Sequence, residues 1–149
     1  MIYLIGLGLN PPKSITQEGH EAIDKSTEVY LETYTSLLPC SKEELEKAIG
    51  KKVKEATRDQ MEQQVEQLVQ KENIAILVMG DPLAATTHNE LLKQAKIIHN
   101  ASIFTAIAKT GLSIYKFGKT ISIPFPQKGV QISSPMQIIK ENKEAVSHM

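Results

Sequence analysis

Cysteine is almost absent from the sequence, since Cys40 is the single one among 149 residues. No disulfide can form within the chain, and a reducing compartment such as the cytoplasm suits the protein. No neighbouring residue in the sequence would lower the pKa of Cys40, so we do not expect it to act as a nucleophile. No cluster of cysteine and histidine has the spacing of a metal site, and we therefore expect none.

The chain also has no net charge and few aromatic residues. Lysine plus arginine and aspartate plus glutamate number 17 each, tryptophan is absent, and only three phenylalanines and four tyrosines occur. The chain has no net charge that would attract nucleic acid, and no basic run is interleaved with aromatic residues. We therefore do not expect it to bind nucleic acid. The longest apolar run is far too short to span a bilayer, and no signal peptide is recognisable. The sequence therefore predicts a cytoplasmic protein without membrane association.

The central feature of the chain is an apolar run that ends in a turn carrying one acidic residue. Residues 74–79 are all apolar, which is typical of a central parallel strand covered on both faces. Gly80 lets the backbone turn, and Pro82 keeps Asp81 out of helical geometry. Because open α/β sheets bind ligands at the carboxyl ends of their strands, Asp81 is a candidate binding residue. The alternative is that Asp81 only accepts hydrogen bonds from the backbone of its own turn.

Strand and helix patterns alternate about five times along the chain. The first predicted strand begins at residue 2 and breaks into alternating glycines, and the others are residues 28–34 and 74–79, a segment ending at 97–98, and 120–125. Predicted helices begin at the caps Thr16, Ser41, Thr57, Thr87, Ser102 (or Asn100) and Ser134. This alternation predicts an α/β domain with a parallel sheet and helices on both faces.

Turns that follow parallel strands lie at one edge of the sheet, so the predicted topology brings several polar residues together. Gly6, Gly8, Asp81 and Ser102 would line one cleft at this edge. The glycine pair lacks the third glycine of the dinucleotide fingerprint, and a plain turn is the simpler interpretation. The histidines are expected to be structural or surface residues, and a ligand or base role stays open mainly for His99.

Five segments, in order along the chain, carry a further resemblance: residues 3–9, 29–36, 80–88, 98–103 and 111–123. Together they resemble the diphthine synthase family, within the tetrapyrrole-methylase-like, class III methyltransferases. The resemblance implies that residues 1–149 are the N-terminal α/β domain of that fold. Residues from about 127 to 149 would then begin the linker and helix towards a second domain, which is absent from this chain.

The resemblance also implies an activity. S-adenosylmethionine would donate a methyl group and leave as S-adenosylhomocysteine. The acceptor would be the 3-amino-3-carboxypropyl-histidine of translation elongation factor 2, methylated on its amine and, in eukaryotic members, also on its carboxylate. Carried over from the family, the donor contacts would be Leu9, Asp81, Ala84, Ser102 and Ile103. No catalytic residue is implied, and a homodimer is expected.

Two features depart from the family pattern. Asn10, Leu83 and Ala84 replace residues that are usual in the family. The family has several more residues before Ile97, so we expect a break in the chain between Lys96 and Ile97.

Two alternative functions stay open. One alternative function is a truncated, non-catalytic domain that binds a partner or dimerises. The other is a methylase acting on a tetrapyrrole, which residues 85–88 and 98–103 disfavour.

Overall fold

The computed structural model describes residues 1–62, 72–84, 89–123 and 134–144. The chain divides into two compact units, Met1–Ile103 and Phe104–Met149. Among the described residues the strands all belong to the first unit, and they are β1 Ile2–Gly6, β2 Glu28–Glu32, β3 Val53–Ala56, β4 Ile74–Val78 and β5 Ala95–Ile98. The helices described in the first unit are α1 Gln17–Lys25, α2 Lys42–Ile49, α3 Arg58–Glu62 and α4 Asn89–Leu92.

The five strands form one sheet in the order β3-β2-β4-β1-β5, and all neighbouring strands are parallel. β4 lies at the centre and is buried at every position, as its unbroken apolar run predicts. Ile5 of β1 is in register with Leu77 of β4 on one side and with Ile98 of β5 on the other. The predicted parallel α/β sheet is therefore confirmed.

Helices cover both faces of this sheet, because alternate strand residues point to opposite sides. On one face Ile5 and Leu77 pack in a core with Ile23 of α1 and Leu45 of α2. On the other face the strand residues pack with Met61 of α3 and with Leu91 of α4, and these two side chains are almost fully buried. This arrangement confirms the expectation of helices on both faces.

The helix starts that the sequence predicts are confirmed wherever the structure describes them. The Thr16 hydroxyl accepts from the backbone N–H of Gly19 at the start of α1, 3.0 Å away. Ser41 and Glu44 form the predicted capping box of α2, and Gly50 ends that helix with φ +69°. The predicted cap at Thr87 and most of the helix predicted after Thr57, to about residue 71, lie outside the described residues.

Three expectations are wrong. β3 is an edge strand that the sequence pattern did not indicate, since only its first and last residues are buried. Residues 120–123 form no strand, whereas 124 and 125 lie outside the described residues. The chain has no break between Lys96 and Ile97, because both belong to β5 and are in register with Tyr3 and Leu4 of β1. Helix α4 ends early enough, at Leu92, for a two-residue turn to reach this strand.

The unit Phe104–Met149 contains turns of 3-10 helix at Ile107–Thr110 and Ile114–Lys116, and helix α6 at Ser134–Glu144; a short helix, α5 Ile103–Ala106, leads into it. The side chain of Asn142 joins α6 to the preceding segment. Its amide accepts from the backbone N–H of Lys119 and donates to the carbonyl of Lys119, both at 2.9 Å.

The assignment of residues 1–149 to a single N-terminal domain stays a prediction. No helix in the described ranges has both the length and the apolar character needed to cross a bilayer.

Candidate functional site

The loops after β1, β4 and β5 meet at one edge of the sheet, because these three strands are adjacent and parallel. The first two loops are joined directly through their backbones. The N–H of Gly8 donates to the carbonyl of Gly80, and the N–H of Gly80 donates to the carbonyl of Gly8, each at 3.0 Å. The predicted convergence of the loops that carry Leu9, Asp81 and Ser102 on one side of the molecule is thus observed.

Glycine is needed where these loops cross. Gly8 and Gly80 have φ of +72° and +74°, a conformation that other residues rarely adopt. At Gly6 the constraint is space, since an added Cβ would lie 2.6 Å from the Gly80 carbonyl oxygen and 2.8 Å from Cβ of Asn100. Gly6, Gly8 and Gly80 therefore serve the close approach of two strand ends, which accounts for the Gly6–Gly8 spacing without the dinucleotide motif.

Asp81 fastens its own turn and also the loop after β5. One carboxylate oxygen, Oδ1, accepts from the backbone N–H of Leu83 at 2.8 Å. The other, Oδ2, accepts from the backbone N–H of Asn100 at 3.0 Å and lies 2.9 Å from Nδ1 of His99. Asp81 thus makes the turn contact of the structural alternative stated above, but it does not bond to its own turn alone. Since a carboxylate has about four lone-pair positions and these contacts use three, Asp81 keeps some capacity for a ligand.

The charge state of Asp81 follows from the same contacts. Burial raises the pKa of this carboxyl. The backbone N–H groups of Leu83 and Asn100, together with His99, lower the pKa by a larger amount. The pKa of Asp81 is therefore below its ordinary value. Asp81 is consequently ionised at neutral pH and places one negative charge at the edge of the sheet. This charge would complement a cationic ligand.

Asn100 is a component of the site that the sequence pattern indicated only as an alternative helix cap. Its side-chain Nδ2 donates to the carbonyls of Gly6, at 2.9 Å, and Ser14, at 2.8 Å. Its Oδ1 accepts from the backbone N–H of Ala101 at 2.8 Å. The hydroxyl of Ser14 in turn donates to the carbonyl of Leu7. These bonds fix the loop after β5 to the loop after β1. An asparagine two residues after the strand that ends at Ile98 was the available signal.

Four of the five residues expected to contact the donor lie on these loops, and the fifth, Ile103, begins α5 directly after the loop that follows β5. Leu9 and Ile103 are exposed, by 39% and 60%, although both are apolar. Ala84 and Asp81 are partly exposed, whereas Ser102 is buried. Ser102 lies beside the β4 loop, since a Cβ added at Gly80 would be 3.8 Å from Cα of Ser102. Exposed apolar side chains next to backbone polar groups and one carboxylate can receive a ligand with a flat apolar ring and a positive charge.

Within the described residues, no three histidine, cysteine, aspartate or glutamate side chains lie close enough to hold a metal ion. Cys40 is partly buried. Burial, and then the nearby Glu44 carboxylate, raise the pKa of its thiol, which agrees with the prediction that it is not a nucleophile.

Comparison with known proteins gives relatives over nearly the whole chain. The human diphthine methyl ester synthase is 41% identical over 158 aligned residues, covering 99% of this chain and 55% of that protein. The Saccharomyces cerevisiae enzyme of the same name is 43% identical, covering 99% of this chain and 53% of its own length. The chain thus spans about half the length of these curated relatives.

Solved structures give the same result. The crystal structure of a diphthine synthase superposes with a TM-score of 0.87 at 36% identity, covering 98% of this chain and 61% of that one. A putative diphthine synthase from Entamoeba histolytica gives 0.80 at 40% identity, covering 99% and 60%. The resemblance predicted from the sequence segments is confirmed by these matches. The family model described as Tetrapyrrole (Corrin/Porphyrin) Methylases matches residues 1–144, and this chain belongs to that methylase family.

Proposed function

We propose that this chain is the donor-binding part of a diphthine synthase. In this proposal S-adenosylmethionine is the methyl donor, and the acceptor is the 3-amino-3-carboxypropyl-histidine of translation elongation factor 2. The observation that carries the proposal is the convergence of the β1, β4 and β5 loops, held by the Gly8–Gly80 and Asp81–Asn100 hydrogen bonds. The identity of 36–43% to the diphthine synthases named above supports this substrate over a tetrapyrrole.

The residues at this edge fit the donor. Gly80 is buried and packs against the loop after β5, because a Cβ built there would meet Ala101 and Ser102 at 3.8–3.9 Å. Leu9, Ala84 and Ile103 offer apolar contacts beside these packed loops, and the ionised Asp81 offsets the positive charge of a sulfonium. Leu9, Asp81, Ala84, Ser102 and Ile103 would therefore hold the donor.

Bound S-adenosylmethionine supplies an electrophilic methyl group, which a nucleophile displaces in line from sulfur to give S-adenosylhomocysteine. The contribution of the chain is orientation, since positioning alone can account for a large share of the rate of such a displacement. The network around Asn100 and Asp81 keeps the loops rigid, so the donor-binding residues on them have fixed positions before the donor binds.

The further partners follow from the proposed reaction. Elongation factor 2 acts in translation, so the proposal places the chain in the cytoplasm, which agrees with its single cysteine. We also propose a homodimer, on the resemblance to the family alone.

Calorimetry with S-adenosylmethionine tests donor binding. The Ala84→Val variant adds two methyl groups to the donor surface and should weaken binding about tenfold. The matched control is Ala48→Val, on the exposed surface of α2, which should bind the donor as the original chain does. If the original chain binds no donor, the alternative of a non-catalytic domain that binds a partner or dimerises replaces this proposal.

Transfer to the acceptor is tested separately. Elongation factor 2 that carries the unmethylated 3-amino-3-carboxypropyl-histidine is incubated with the chain and S-adenosylmethionine, and mass spectrometry of the modified peptide counts the methyl groups added. The proposed substrate would be contradicted if the chain binds the donor and methylates a tetrapyrrole but does not methylate elongation factor 2.

A further inference from the structure

His99 and Asp81 form a pair at the donor-binding edge that the proposed function does not use. Nδ1 of His99 lies 2.9 Å from Oδ2 of Asp81. The Asp81 side chain is only 14% exposed, whereas that of His99 is 65% exposed. The carboxylate is fixed by two backbone N–H groups, those of Leu83 and Asn100, so the acceptor of this contact is held in one position.

This geometry selects one tautomer of His99. Asp81 is ionised, for the reasons given above, and therefore has no proton to donate. The contact is a hydrogen bond only if Nδ1 of His99 carries the proton. In the neutral ring the lone pair then lies on Nε2, which makes no hydrogen bond in the part of the chain that the structure describes. An oriented imidazole with a free lone pair at a ligand-binding edge is able to accept a proton from a substrate.

We propose that His99, positioned by Asp81, is the general base that deprotonates the acceptor amine. The inference rests on the proposed function, which makes the acceptor an alkylammonium group. An amine of that type has a pKa of roughly 8, so most of it is protonated and non-nucleophilic at neutral pH. Removal of that proton by a neighbouring base makes the lone pair available for attack.

The ammonium nitrogen transfers a proton to Nε2 of His99 and becomes a neutral amine. The amine lone pair forms the new carbon–nitrogen bond while the carbon–sulfur bond breaks, and the electron pair of that bond remains on sulfur. His99 then releases its proton to solvent. Methylation of a carboxylate requires no such proton removal, because a carboxylate is already ionised at neutral pH.

The His99→Gln variant separates these two reactions on the same acceptor. We expect methylation of the amine to slow about 100-fold, methylation of the carboxylate to change little, and added imidazole to restore part of the lost rate. Donor affinity measured by calorimetry should change by no more than about a factor of two, which corresponds to about 0.4 kcal/mol. The matched control is His20→Gln, on α1, which should leave both methylations unchanged.

Nitrogen-15 spectra of the histidine rings provide a readout that needs no activity. At a pH where His99 is neutral, its proton should be on Nδ1, and Asp81→Asn should shift the ring towards the other tautomer. An Nε2–H tautomer in the original chain overturns the inference, as does undiminished amine methylation by His99→Gln. If the original chain neither binds the donor nor methylates the acceptor, the proposed function fails, and this inference fails with it.

Discussion

The side-chain amide of Asn100 donates to the carbonyl of Gly6 at 2.9 Å, across 94 positions of sequence. The same amide group reaches the carbonyl of Ser14 at 2.8 Å, so a single side chain joins the end of β5 to the end of β1 and to the segment before α1. Its backbone N–H, donated to Asp81, adds the loop after β4. Asn100 therefore holds all three loops of the candidate site in one arrangement.

Replacing Asn100 by alanine leaves the carbonyls of Gly6 and Ser14 without this donor. We expect the free energy of unfolding to fall by about 2 kcal/mol, because partly buried polar groups lose their partner. Urea denaturation measures this loss, and calorimetry should show weaker binding of S-adenosylmethionine. The control is Asn10→Ala, whose side chain is exposed and whose cost should be below about 0.5 kcal/mol. Equal stability of the two variants would contradict the role given to Asn100.

Gly6→Ala tests whether the loops need close backbone approach. The added Cβ would overlap the Gly80 carbonyl oxygen, at 2.6 Å, and neither that backbone nor Asn100 can move without breaking the network. We expect a loss of about 1–3 kcal/mol in urea denaturation together with a loss of donor affinity.

Gly50→Ala is the comparison for this variant. Gly50 ends α2 with φ +69°, and an added Cβ would meet no atom within 4 Å. Its cost of about 1 kcal/mol should come from backbone conformation alone, and donor binding should be unaffected. A Gly6→Ala variant that still binds the donor normally would show that the close approach is dispensable.

The lowered pKa of Asp81 makes stability depend on pH in a definite direction. Because the folded chain holds this carboxyl below its ordinary pKa, the unfolded state binds more protons at acidic pH. The stabilisation is complete above the unfolded value of roughly 3.9 and is lost as the pH falls through the lower folded value.

The measurement is urea denaturation of the original chain and of Asp81→Asn between neutral pH and about pH 3. The difference in unfolding free energy between the two should shrink as the pH falls. Asp24→Asn, at an exposed position of α1, should follow the pH profile of the original chain. A constant difference across the range would mean that the charge of Asp81 does not contribute to stability.

Much of the fold could be predicted because its signals are local. The apolar run of β4, the capping box at Ser41 and the glycine at position 50 each identify an element within a few residues. β3 could not be predicted in this way. Its buried residues are only Val53 and Ala56, and its position depends on pairing with β2 at the edge of the sheet.

The candidate site was predictable only in outline. The rule that parallel strands present their carboxyl ends at one edge placed Gly8, Asp81 and Ser102 together, and the structure agrees. The contacts of Asn100 and the pairing of His99 with Asp81 were not predictable, since each joins loops that are distant in sequence. Such contacts depend on strand register, which the sequence pattern of one strand does not specify.

Lys51 is another long-range contact without a local signal, and it stabilises the end of α1. Its Nζ donates to the carbonyls of Ile23, Asp24 and Ser26 at 2.7, 2.8 and 2.5 Å. These carbonyls lie at the C-terminal end of α1, where that of Ile23 also accepts from the N–H of Ser26, and where the helix dipole favours a positive charge. Removing the ammonium group therefore removes both hydrogen bonds and a favourable charge.

Lys51→Met keeps the aliphatic stem of the side chain and should lower the unfolding free energy by about 1–2 kcal/mol. Amide hydrogen exchange should become faster in the last turn of α1. The adjacent Lys52→Met is the matched control, because the Lys52 side chain is 92% exposed, although that of its ion-pair partner Glu46 is only 12% exposed. Water screens the charge of an exposed lysine, and such pairs contribute about 0–1 kcal/mol, so this variant should lose less stability. Equal losses in the two variants, with unchanged exchange in α1, would show that Lys51 acts only as a surface charge.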